Sequence, residues 1–163
     1  GETLEELGAS EYLAVRLGLV RGEPPSIDLA RERAVQAACL EAIRRGIVHA
    51  AHDCSDGGLA VALAESCMGR AGSSIGVDLE LGGTIRPDAL LFGESQSRIL
   101  LSLKESDWPM LQKIAASHEV PLQRLGRVGG TRFRLQGPTF VIDLPLADLE
   151  EAWRNGLASV LGR

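Results

Sequence analysis

Aromatic residues are scarce in this chain, only 4% of its 163 residues. Its core therefore has to be built mainly from Ala, Val, Leu and Ile, which suits close packing of helices on a sheet. Cysteines number three. Cys39, Cys54 and Cys67 are isolated in spacing and set in apolar or junction contexts, the usage expected of reduced thiols. No apolar stretch approaches the ~20 residues needed to cross a bilayer, and the first residues lack a basic region followed by an apolar core. No run of Lys and Arg occurs, and the formal net charge is −5, which argues against a nucleic-acid or anionic-membrane surface. These absences set the expectation of a cytoplasmic chain with no nucleic-acid and no membrane partner, in which a nucleotide has to bind through a local site. The stretch from Arg127 to Arg134, with three arginines and Phe133, lacks the aromatic repeat that would make it an RNA surface.

Against that background one run stands out: His52, Asp53, Cys54, Ser55, Asp56, Gly57, Gly58, Leu59. Upstream, Gly46 to Ala51 reads as a short buried strand, and downstream Leu59 to Glu65 is a strong helix former, so the run is a strand-to-helix junction. The first N–H groups of a helix have no intrahelical partner and, with the helix dipole, attract anions. Gly57 and Gly58 remove the Cβ atoms that would hold a ligand away. Two carboxylates repel a bare phosphate, and Mg²⁺ between them would resolve the conflict, with Asp53 as its ligand and Ser55 and the amides after Asp56 facing a nucleotide. The same residues also fit a plain corner, in which Asp56 or Ser55 is the N-cap and the glycines serve only the turn. Cys54 has no His or Asn partner pattern and reads as a small buried residue. His52 reads as packed or capping, His49 and His118 as surface or helix-end residues, and Trp108 and Trp153 as core or interface anchors.

A second constellation, Gly93, Glu94, Ser95, Gln96, Ser97, Arg98, precedes the apolar strand beginning at Ile99. It reads either as a solvated turn or as a set of hydrogen-bonding groups for a sugar or phosphate, with Arg98 giving a bidentate contact.

The length suits one domain and is short for two. Residues 1–25 read as an arm or linker from a preceding domain: Ser10 caps a short helix from Glu11 to Arg16, and Gly22 to Ser26 ends in a further cap before a helix from Ile27 to Arg45. Residues 26–163 form the domain proper. In the long helix Val35, Ala38, Cys39, Ala42 and Ile43 share a face; the helix from Gly58 to Met68 is apolar on nearly every side and should be buried on two. Strands are expected over 75–81, 98–103, 124–128, 132–135 and 140–144, with a Ser106-capped helix over 107–117 and a last helix over 146–161. The irregular alternation points to an α+β fold. Since the sequence starts at Gly1 and reads as the end of some earlier structure, it is expected to be an excised fragment.

The run from His52 to Ser66, followed by Leu91 to Arg98 and preceded by Leu7 to Leu13, resembles the C-terminal domain of phosphoribosylformylglycinamidine synthase, within the AIR synthase-related superfamily. The resemblance implies a three-layer α/β/α arrangement with a mixed sheet, as in the C-terminal domain of AIR synthase. It also implies part of an ATP-dependent C–N ligase of purine biosynthesis, in which ATP phosphorylates the amide oxygen of formylglycinamide ribonucleotide and ammonia displaces the phosphate. ATP or ADP and Mg²⁺ are the implied cofactors. By motif, Asp53 becomes a Mg²⁺ ligand and Ser55, Asp56, Gly57 and Gly58 the nucleotide corner of a pseudo-symmetric auxiliary site. Glu94, Ser95, Gln96 and Arg98 match the substrate-contact motif in form, and no catalytic residue is assigned. The implied partners are the remaining domains of the synthetase and a glutaminase subunit or domain that supplies ammonia. The fragment alone is expected to be inactive and to self-associate. The alternatives are another enzyme of the superfamily, a small-molecule kinase or dehydratase, and a purely structural domain for which a nucleotide is glue.

Overall fold

The computed structural model describes residues 1–69 and 73–162. In chain order the elements are α1 (Glu11–Leu17), α2 (Leu29–Arg44), β1 (Val48–Asp53), α3 (Gly58–Cys67), β2 (Val77–Glu80), α4 (Pro87–Phe92), β3 (Ile99–Leu103), α5 (Trp108–Ser117), β4 (Gly126–Val128), β5 (Arg132–Gln136), β6 (Val141–Pro145) and α6 (Leu146–Val160). The chain is α+β as expected, and it divides into two compact units: Gly1–Leu63 with Ile85–Arg124, and Ala64–Thr84 with Leu125–Arg163.

In the first unit β1 and β3 pair antiparallel. Ala38 and Ala42 of α2 and Leu111 and Ile114 of α5 pack with Ile47, and Val48, Leu101, Leu103, Trp108 and Val120 close around them. Each fully buried leucine-sized side chain in such a cluster contributes roughly 1.5–3 kcal/mol. Ser10 caps α1 as expected, its Oγ accepting from the Leu13 N–H at 3.4 Å. For α2 the cap is Asp28, whose Oδ1 accepts from Ala30 and Arg31 at 2.9 and 3.1 Å. The expected cap Ser26 instead gives its N–H and hydroxyl to Glu6. Ser106 caps nothing either, because Glu105–Asp107 wind into a single 3₁₀ turn that leads into α5.

Three packing expectations also change. Β1 begins at Val48 rather than Gly46, and His49, Ala50 and Ala51 are exposed. Among the described residues it pairs with β3 alone, and its register shifts between Val48 and Ala50, so the regular inward alternation is lost. Ile43 turns out 47% exposed. Helix α3 buries Leu59, Ala62, Leu63 and Cys67 but leaves Val61 and Ser66 exposed, a single buried stripe at helical spacing in place of burial on two sides. Helix α4, which no sequence signal marks, starts on Pro87 in its first turn and buries Ala89, Leu90 and Leu91.

The second unit holds the mixed sheet, in the order β4-β2-β5-β6, with β2 and β5 parallel and the other pairs antiparallel. Among the described residues the strands thus form two sheets rather than one. Val77, Leu79, Phe133 and Leu135 are buried while Asp78, Glu80, Arg132, Arg134 and Gln136 face out, the alternation of a half-buried sheet. On the exposed face Arg127, Asp78, Arg134 and Asp143 lie in one cross-strand row of alternating charge. Arg132 pairs with Asp143 at 2.5 Å and Arg134 approaches Asp78 at 3.8 Å, so these arginines are committed to neighbouring strands. Trp153, expected as an anchor, is 57% exposed on α6.

Candidate functional site

Both polar runs lie in the first unit, and the structure joins them. The backbone N–H of Cys54 donates to the Arg98 carbonyl at 2.9 Å, continuing the pairing of β1 and β3 into the junction. Glu94 completes the link. Its Oε1 accepts from the Gly57 N–H and from the Glu11 N–H, each at 2.9 Å. Gly57 and Gly58 have φ of +77° and +68°, the left-handed region where a Cβ is penalised. A Cβ on Gly58 would also sit 2.5 Å from the Gly93 carbonyl oxygen, so the corner is pressed directly on the turn that starts the second run.

Burial sorts the anticipated site residues into two groups. Asp53, Ser55, Asp56 and Gln96 are exposed. Glu94 is half-buried, and Ser95 and Arg98 are only 2% and 8% exposed. The Ser95 Oγ accepts from the Leu4 N–H at 3.1 Å. Arg98 spends its guanidinium on the protein itself, donating from Nε to the Ser95 carbonyl at 2.9 Å, from one terminal nitrogen to Thr3 Oγ1 at 3.2 Å and from the other to the Gly93 carbonyl at 2.5 Å. Burial lowers its pKa, with Cys54, Glu6 and Glu94 acting in the opposite direction; a guanidinium stays charged regardless. Gln96 donates to the Glu94 carbonyl at 3.1 Å.

At the outward face, Asp53 accepts from the Ser55 hydroxyl. That hydrogen bond, followed by one from the backbone, holds its carboxyl below the ordinary aspartate range. The ring of His52 lies 2.7 Å from the Asp53 carbonyl oxygen, an exposed contact with the next residue. Cys54 is buried, as expected, and its thiol pKa is pushed up by that burial. The Gly57 amide is satisfied by Glu94 and the Gly58 amide by the Ser55 carbonyl at 3.0 Å. Part of the capping role open to Asp56 is thus filled from the other run.

Among the described residues no group of three or more His, Cys, Asp and Glu is placed to hold a metal. The donor set therefore fits only a cation that takes one carboxylate, Asp53, and fills its remaining positions with phosphate oxygens and water. Mg²⁺ is such a cation. An open groove of about 500 Å³ on α2 and α5, lined by Leu40, Glu41, Arg44, Arg45 and His118, lies apart from both runs. Its Glu41 is occupied by His118 at 2.9 Å and Arg45 at 2.7 Å.

The N-terminal residues are the part of the site that sequence reading missed. Thr3, Leu4 and Glu11 contact the second run, Glu5 Oε1 accepts from the Arg86 N–H at 3.4 Å, and Tyr12 stacks on Phe92 with ring centroids 4.9 Å apart. Glu32 accepts from the Ser97 hydroxyl at 2.5 Å. Apart from the Leu7–Leu13 resemblance, no local pattern marks these residues.

Comparison with known proteins gives the chain its relatives. The sequence profile of AIR synthase related protein, C-terminal domain, matches residues 1–137. Phosphoribosylformylglycinamidine synthase subunit PurL of Thermomicrobium roseum is 49% identical over 158 residues, covering 96% of this chain and 21% of the relative. The corresponding subunit of Moorella thermoacetica is 45% identical, covering 100% of this chain and 22% of the relative. This chain thus spans about a fifth of the length of these relatives. Among solved structures, Thermotoga maritima PurL in complex with ATP superposes with a TM-score of 0.66 at 20% identity, covering 89% of this chain and 24% of that one, a likeness of fold. No helix among the described residues is long and apolar enough to cross a membrane. The profile match covers most of the chain and both polar runs, and the chain belongs to the AIR synthase related family, as its C-terminal domain.

Proposed function

We propose that this chain is the C-terminal domain of the synthetase that converts formylglycinamide ribonucleotide to formylglycinamidine ribonucleotide with ATP. In this reading residues 26–163 are the domain and residues 1–25 an arm that takes part in its site. The observation that carries the proposal is the 49% identity to a PurL subunit across 96% of the chain. T. maritima PurL has been solved with ATP, ADP and AMPPCP, which supports a nucleotide as ligand.

The corner is an auxiliary nucleotide site. Asp53 holds Mg²⁺, Ser55 and Asp56 flank the phosphates, and the N-terminal end of α3 faces them. Gly57 and Gly58 keep the backbone low. Gln96 reaches the ligand from the second run, while Glu94, Ser95 and Arg98 hold that run in place. Mg²⁺ supplies charge neutralisation between carboxylate and phosphate. The chemistry on formylglycinamide ribonucleotide uses residues of the remaining domains, ammonia comes from a glutaminase subunit or domain, and the enzyme works in the cytoplasm.

The test is Asp53→Asn in the full-length synthetase, with nucleotide content and melting temperature measured side by side. Loss of one anionic ligand should lower retained nucleotide several-fold, and EDTA should do the same to the wild type. A nucleotide bound only to the folded state stabilises it, by about 2.7 kcal/mol at a hundredfold excess over Kd, so the melting temperature should fall as well. Unchanged nucleotide content and melting temperature in Asp53→Asn would return Asp53 to a structural role.

A further inference from the structure

The N-terminal arm and the Asp53–Gly58 corner have no hydrogen bond to each other in the described contacts; each is tied to the second run. A single oxygen, Oε1 of Glu94, accepts the first helical amide of α1, at Glu11, and the corner amide of Gly57, both at 2.9 Å. Around it the same run is pinned to the arm twice more, through Leu4 N–H on Ser95 and through Arg98 on Thr3. The run is also pinned to the corner by Cys54 N–H on the Arg98 carbonyl. A carboxylate held by two charge-assisted hydrogen bonds is much less free than one held by either alone.

We infer that Glu94 is a positioning residue: it makes the shape of the Asp53–Gly58 corner depend on the docking of the arm at Glu11. The corner's outward groups, Asp53 and Ser55, follow the backbone that Gly57 closes, so an arm that lifts away loosens the place where a cation-bound polyphosphate would sit. The coupling needs no contact between arm and ligand. It rests on the proposed nucleotide site only for its functional consequence, because the mechanical link is independent of any ligand.

The experiment exploits the position of Glu11. It is the first helical residue after the Ser10 cap, where Pro is accepted, and Ser10 is already extended at φ −78° and ψ 154° as a residue before Pro requires. Glu11→Pro in the full-length synthetase thus deletes one of the two amides on Glu94 without unwinding α1, and Glu11→Ala keeps the amide as a control. Glu94→Ala removes the clamp, and Glu94→Gln retains a carbonyl oxygen that can accept both amides. Hydrogen exchange of the peptide spanning residues 53–60 is followed by mass spectrometry without nucleotide, and retention of Mg·ADP is measured separately.

Exchange over 53–60 should quicken roughly tenfold in Glu11→Pro and in Glu94→Ala, from the size of a hydrogen bond to a charged group, and stay near wild type in Glu11→Ala and Glu94→Gln. Unchanged exchange in Glu11→Pro overturns the coupling, whatever the nucleotide does. Quickened exchange with Mg·ADP retention undiminished upholds the coupling and overturns the nucleotide reading of the corner instead.

Discussion

Arg98→Met puts the internal use of this guanidinium to a quantitative test. Methionine has a similar unbranched reach but no donor, so the substitution orphans the carbonyls of Gly93 and Ser95, both in buried residues, and the hydroxyl of Thr3. A buried acceptor left without its partner costs about 1–3 kcal/mol. Two such carbonyls cost about 2–6 kcal/mol. The loss is partly offset, because the cation at 8% exposure no longer has to be desolvated. A net destabilisation of about 2–4 kcal/mol remains. For a chain of this size 1 kcal/mol moves the melting temperature by about 2–4 °C, so Arg98→Met should melt roughly 4–16 °C lower. Lysine cannot span three acceptors with one ammonium, and Arg98→Lys should recover less than half of the loss. Calorimetry and urea denaturation of this chain measure both variants. A loss below about 1 kcal/mol for Arg98→Met would refute the reasoning and return Arg98 to a group poised for ligand.

Other positions give sharper, smaller tests. Gly58→Ala should cost about 3 kcal/mol, the left-handed penalty plus a clash with the Gly93 carbonyl, whereas Gly46→Ala, at φ +71° with nothing within 4 Å, should cost only about 1–2 kcal/mol; equal losses in denaturation would show that the corner yields freely. Burial raises the Cys67 thiol from 9.0 to about 11. The folded state therefore favours the neutral thiol, and its stabilisation is complete below pH 9 and lost as pH climbs through about 11. Stability of the wild type minus that of Cys67→Ala should fall by at most about 3 kcal/mol over that window, and a flat difference would contradict it. On α6 and at its C-cap, Trp153, Leu157, Val160 and Leu161 are 57–84% exposed, so this chain should self-associate at high concentration and Leu157→Glu should weaken the association; a strict monomer in sedimentation would argue against it.

The elements that could be read from sequence are those long enough to show a period. Helix α2 repeats its buried Val35, Ala38 and Ala42 over about two turns, and β2 and β5 alternate cleanly. Helix α4 has six residues, under two turns, and no periodicity can separate it from a loop or a strand. Caps misled where a polar residue had a better partner elsewhere: Ser26 reads as an N-cap in isolation, but Glu6, twenty residues earlier, takes both its donors. The corner itself was legible because strand, glycine pair and helix follow one another locally. Its fastening was not, since Glu94 meets Gly57 and Glu11 across 37 and 83 residues, and Arg98 meets Thr3 across 95. Sequence spacing carries no trace of such contacts.

That long-range fastening changes the electrostatics of the corner. Read as a string, the two runs offer a balanced set, with Arg98 available to meet a phosphate that Asp53 and Asp56 would repel. Folded, Arg98 turns inward and its charge is shared with carbonyls of its own loop, while Asp53 and Asp56 remain outside. Two exposed carboxylates each oppose a phosphate oxygen about 4 Å away by about 1 kcal/mol in water, enough to cancel much of what the first amides of α3 contribute. A divalent cation would reverse the sign of that interaction, and the Ser55 hydrogen bond holds the Asp53 carboxyl below the ordinary aspartate range. An anion without a metal is the wrong ligand for this surface, and the inward turn of Arg98 is what makes it so.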